Sequence, residues 1–92
     1  MNNTKALLAK YKSDTGKIVE EYLDKYIQTT GGFDYFFEKE SKNFRKKVAD
    51  AGTNFLLKNN KSPDNIKELT TGVQLIGMDV MLDFVNRLKA MS

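Results

Sequence analysis

Two absences do most to limit the chemistry open to this 92-residue chain: it has no histidine and no cysteine. Without them the commonest general base, the usual zinc ligands and the thiolate nucleophile are all missing, so most hydrolytic and metal-assisted mechanisms lose their central residue. Carboxylates, lysines, tyrosines and hydroxyls remain. Asp79 and Asp83 fall one helical turn apart, a spacing open to a hard cation, yet without Glu-x-x-His partners they supply too few ligands for a bridged metal site. They read as solvated carboxylates that keep a helix soluble. Glu20 and Glu21 point in different directions and suggest no more than a polar face. No catalytic residue, metal site or cofactor site is assigned, and the expectation is a protein that is not an enzyme.

Two short motifs are tested and set aside. Asp14, Thr15 and Gly16 spell the D-T-G tripeptide that pairs carboxylates in retroviral-type aspartic proteases. Here Lys12, Ser13 and Lys17 flank it within a helical pattern, whereas those enzymes bury it in a β-rich fold. Gly72 and Gly77 have the separation of a P-loop's two glycines, but Met78 and Asp79 stand where a lysine and a hydroxyl are needed. Gly77 instead suits the close approach of a second helix.

The feature with a positive functional reading is basic. Lys39, Lys42, Arg45, Lys46 and Lys47 crowd five cations around the single acid Glu40. At 100° per residue Lys39, Lys42 and Lys46 share a helix face opposite Phe44 and Val48. Such a face suits a phosphate backbone, with sequence-independent, salt-sensitive binding. A solvated face or a contact with an acidic protein is the competing reading, and no helix-turn-helix spacing points to base recognition. Just upstream, Phe33, Tyr35, Phe36 and Phe37 form an aromatic cluster. Tyr35 falls on a different side from Phe33 and Phe37, so three rings are expected in a core and Tyr35 in a contact with a partner.

These side chains need helices to position them. Apolar residues recur every three or four positions, at Leu8, Tyr11, Thr15, Ile18, Tyr22 and Tyr26, with Leu7, Val19, Leu23 and Ile27 widening the stripe. The spacing predicts a helix from Thr4, as N-cap, to about Thr29 before Gly31 and Gly32, with a break at Ser13–Gly16 as the alternative. A second helix, capped by Asp34, carries Phe44, Val48, Ala51 and Phe55, fades at Asn59 and Asn60, and offers Ala51 and Gly52 for close packing. The third starts at Ser62, Pro63 and Asp64 and runs to about Ala90. Its main stripe is Ile66, Leu69, Val73, Ile76, Val80, Phe84, Leu88 and Met91. Leu75, Met78, Met81, Leu82 and Val85 lie outside that stripe, so the helix is apolar around some two-thirds of its circumference. Either it is central, or a second chain covers the excess.

A single all-α domain spanning 1–92 follows: a small bundle of three long antiparallel helices, four if the first breaks, expected to be oligomeric through Leu75, Met78, Met81, Leu82 and Val85. Apolar residues make up 40% and charged residues 29% of the chain, with a net charge of +3, which is the balance of a folded globular protein. No apolar run approaches the ~18 residues of a membrane span, so a cytoplasmic setting without membrane contact is expected. The function read from these features is a helical interaction protein, an adaptor, regulator or inhibitor of an unidentified protein partner. Its size and lysine- and asparagine-rich composition suit an accessory protein of a virus or mobile element. Nucleic-acid binding through the Lys39–Lys47 face is the alternative.

Overall fold

The structure, a computed structural model, describes residues 3–59 and 63–92. Among them are three helices and no strand: α1 (Thr4–Ile27), α2 (Gly32–Asn59) and α3 (Pro63–Met91). The expected cap at Ser62 and the fading at Asn60 lie outside the described residues.

Helix α1 is unbroken through Ser13–Gly16. Thr15 explains why: it is fully buried, and its hydroxyl donates to the Lys12 carbonyl at 2.9 Å, so burial holds the turn that Gly16 weakens. The start differs from expectation. Asn3 precedes the helix without a side-chain cap, while Thr4 is its first residue, and the Thr4 hydroxyl donates across the bundle to Asn65 Oδ1. At the other end α1 stops at Ile27, where the Thr29 hydroxyl donates to the Lys25 carbonyl at 2.8 Å. Ile27 is 67% exposed and does not widen the core stripe, because α1 ends before a neighbour covers it.

Helix α2 opens at Gly32, whose φ of +82° is the left-handed conformation that glycine adopts without a steric penalty. Asp34 therefore sits inside the first turn instead of capping it, where its charge favours the positive end of the helix dipole. Asn59 closes α2 by donating its side-chain amide to the Phe55 carbonyl at 2.8 Å.

Cross-contacts set the topology. Thr4 meets Asn65 and Glu20 reaches Arg87, so α1 and α3 run parallel. Tyr11 packs on Phe55, Tyr22 on Phe44 and Tyr26 on Phe36, so α2 runs antiparallel to α1. The result is an up-down-up rod of 49 × 18 × 16 Å, in which each helix packs on both others. One ring from each helix meets at the centre of the core. Phe44 and Phe84 stack with centroids 3.9 Å apart, and Tyr22 meets both in T-shaped contacts at 5.4 and 6.2 Å.

Glycine sets where the helices approach. At Gly52 an added Cβ would lie 3.0 Å from both Tyr11 Oη and Val73 Cγ1, which makes it the point where all three helices converge, as the Ala51–Gly52 pair suggested. Gly77 does not fill the role expected of it, since nothing comes within 4 Å of its Cβ position. Gly72 does: Leu8 of α1 lies 2.5 Å from where its Cβ would be.

Candidate interaction surfaces

A triangle of helices hides only the inward side of each rod, and the outer sides of α2 and α3 carry the residues singled out from the sequence. On α3 the main stripe turns inward as predicted: Leu69, Phe84 and Leu88 are fully buried and Val80 is 7% exposed. Met91, the last residue of the helix, is 42% exposed. Outside this stripe Leu75, Met78 and Leu82 stand in solvent at 57%, 64% and 62% exposure. Val85 is half-buried, and Met81 packs against the core of its own chain, so most of Met81 is already covered. The exposed side chains keep a four-three-four spacing through Thr71, Leu75, Met78 and Leu82, with half-buried Val85 next in the series, a seam of the kind coiled coils use.

Beside that seam the α1–α3 contact opens into a groove of about 360 Å³, floored by Val19 and Ile76 with Gly16, and rimmed by Lys12, Asp79 and Asp83. Nothing lies within 4 Å of the Gly16 Cβ position, so the missing side chain deepens the groove. Asp83 contacts Arg87 at 3.6 Å, and no cluster of three or more metal-ligating side chains exists among the described residues.

On α2 the aromatic cluster divides as its spacing implies. Phe36 is buried, while Phe33 and Phe37 stack on each other at 5.6 Å and pack against the core. Tyr35 is 55% exposed, with its ring lying over Gly31 and the Lys39 ammonium 5.8 Å from its centroid. Lys39, Lys42, Arg45, Lys46 and Lys47 are all exposed. They are not equivalent. Lys47 is bound to Glu21 of α1 at 2.8 and 3.0 Å, and this hydrogen-bonded carboxylate raises the ammonium above the usual lysine pKa. Lys42, Arg45 and Lys46 have no ion pair among the described residues. Glu40, the acid within the cluster, accepts a bond from Asn43.

The roles of Glu20 and Glu21 were missed in the sequence. Glu21 ties α1 to α2 through Lys47, and Glu20 ties α1 to α3 through Arg87 at 2.8 Å, which raises the Arg87 pKa. Adjacent acids pointing to different sides of one helix were the available signal, but their partners are 26 and 67 residues away. Nor is any described helix long and apolar enough to cross a membrane. Comparison of the chain with protein-family models, with curated proteins and with solved structures finds no match.

Proposed function

We propose that this protein is a non-enzymatic helical interaction protein that self-associates through α3 and acts as an adaptor, regulator or inhibitor of a macromolecular partner. The observation that carries the reading is the solvent-facing row Leu75, Met78 and Leu82, each more than half exposed in the folded chain. Large apolar side chains in water cost about 1–2 kcal/mol apiece relative to burial. Three from each of two copies contribute about 6–12 kcal/mol toward association, against which the freedom lost by the two chains is set.

A second copy suits this face because the seam repeats with heptad spacing, so the same residues on both subunits interdigitate about a two-fold axis. The adjoining groove at Gly16 gives the approaching side chains a recess. The polar rim of Lys12, Asp79 and Asp83 matches the usual anatomy of an interface, with an apolar centre and charged margin.

Sedimentation at micromolar concentration should give a mass above the 10.5 kDa of one chain. Leu82→Glu should return it to that of the monomer while the helical circular dichroism signal is retained, since Leu82 touches little of its own core. A wild-type monomer at these concentrations would sink the reading. Unfolding of the variant would instead place Leu82 in the structural core.

A further inference from the structure

The outer face of α2 is separate from the α3 seam and has its own chemistry. Tyr35, Lys39, Lys42 and Lys46 follow one another at intervals of four, three and four residues, so they line one side of the helix over roughly 16 Å at the ~1.5 Å rise per residue. Three properties distinguish this row from an ordinary solvated lysine face. The cations at 42 and 46, and Arg45 beside them, have no ion pair among the described residues, whereas Lys47 on the α1-facing side is paired with Glu21. The acid inside the cluster, Glu40, already accepts a hydrogen bond from the Asn43 side-chain amide at 3.3 Å. Finally, an aromatic ring more than half exposed stands at the head of the row, in reach of the first ammonium.

We propose that this face binds single-stranded nucleic acid without sequence preference: Lys39, Lys42 and Lys46, with Arg45 at the margin, contact successive phosphates, and a base stacks on Tyr35. A basic track joined to an exposed aromatic is the combination by which proteins hold single strands, because every base has a face to stack and every nucleotide a phosphate. A duplex offers the same phosphates but no free base, so Tyr35 gives the preference for single strands. The Lys39 ammonium, now over the Tyr35 ring, is placed to reach the phosphate next to the stacked base.

Fluorescence anisotropy of a labelled twelve-nucleotide oligothymidine, titrated with the full chain, tests this. Three to four phosphate contacts on a single strand predict that affinity falls about 20–50-fold between 50 and 200 mM salt. The double variant Lys42→Glu/Lys46→Glu should abolish binding. Lys10→Glu/Lys17→Glu, which makes the same change in net charge on exposed positions of α1, should cost far less. Tyr35→Ala should weaken binding about tenfold at an unchanged salt slope, and Tyr35→Phe should restore it. All these positions are exposed, so the helical signal should persist in every variant. Leu82→Glu should leave the affinity per chain intact, which separates this face from self-association. No anisotropy change at 20 mM salt overturns the proposal. So does equal binding to a duplex with no effect of Tyr35→Ala, or equal loss from the two charge-reversal pairs.

Discussion

Gly52 and Gly77 have the same helical backbone and opposite surroundings, which makes them a test of packing at the level of single residues. Alanine in a helix interior is favoured over glycine by about 0.8–1 kcal/mol. At Gly77 nothing opposes that gain, because no atom lies within 4 Å of the new Cβ. Gly77→Ala should therefore raise the thermal midpoint by roughly 3–8 °C, as read by circular dichroism. At Gly52 the methyl group would press on Tyr11 and Val73 at 3.0 Å, so Gly52→Ala should recover little of the gain, and Gly52→Leu should destabilise by about 1–3 kcal/mol. The sequence marked both glycines as close-approach sites. It could separate neither from Gly72, since which glycine faces a neighbouring helix depends on how the rods are turned.

Between elements, the aromatic trio holds the helices in register. Phe84 is fully buried on α3, stacked on Phe44 of α2 and in T-shaped contact with Tyr22 of α1. Phe84→Ala would leave a cavity touching all three helices, with an expected loss of about 3–5 kcal/mol. For a chain of this size that approaches the whole folding free energy, so urea denaturation should show a large fall in midpoint or no folded baseline. Phe37→Ala, which removes a half-buried ring near the end of the rod, should cost clearly less. Each of these rings was placed on its stripe by spacing alone. Their meeting was not legible, because residues 22, 44 and 84 come together only once the two turns fold the chain back on itself.

The whole molecule should be insensitive to pH through the neutral range and respond at its alkaline end. With no histidine, no side chain of ordinary pKa titrates between about pH 6 and 9, so the thermal midpoint should be flat there. Tyr11 is buried against α2, its hydroxyl 3.5 Å from the Val48 carbonyl, and desolvation raises its pKa above the usual value of about 10. The folded state therefore holds the Tyr11 proton more firmly than the unfolded chain does. That stabilisation is complete below the unfolded pKa and is lost as pH rises through the folded one. Lys47, raised by Glu21, acts in the same direction. Thermal melts should begin to weaken near pH 10, and Tyr11→Phe should reduce the decline. A midpoint that drops already between pH 6 and 9 would contradict this account.

By itself the sequence determined that the chain is helical, where its three rods lie to within a few residues, and most of the residues that belong to the core. Those properties follow from the local period of apolar side chains, and a period of 3.6 is written into the order of residues. Tertiary structure decided what a single period cannot hold. It kept α1 continuous through Gly16 by burying Thr15, took Lys47 from the basic face by pairing it with Glu21, and packed Met81 against the core while leaving Met78 outside. Each of these outcomes depends on the angle at which one helix meets another, a quantity set by contacts between residues far apart in the chain.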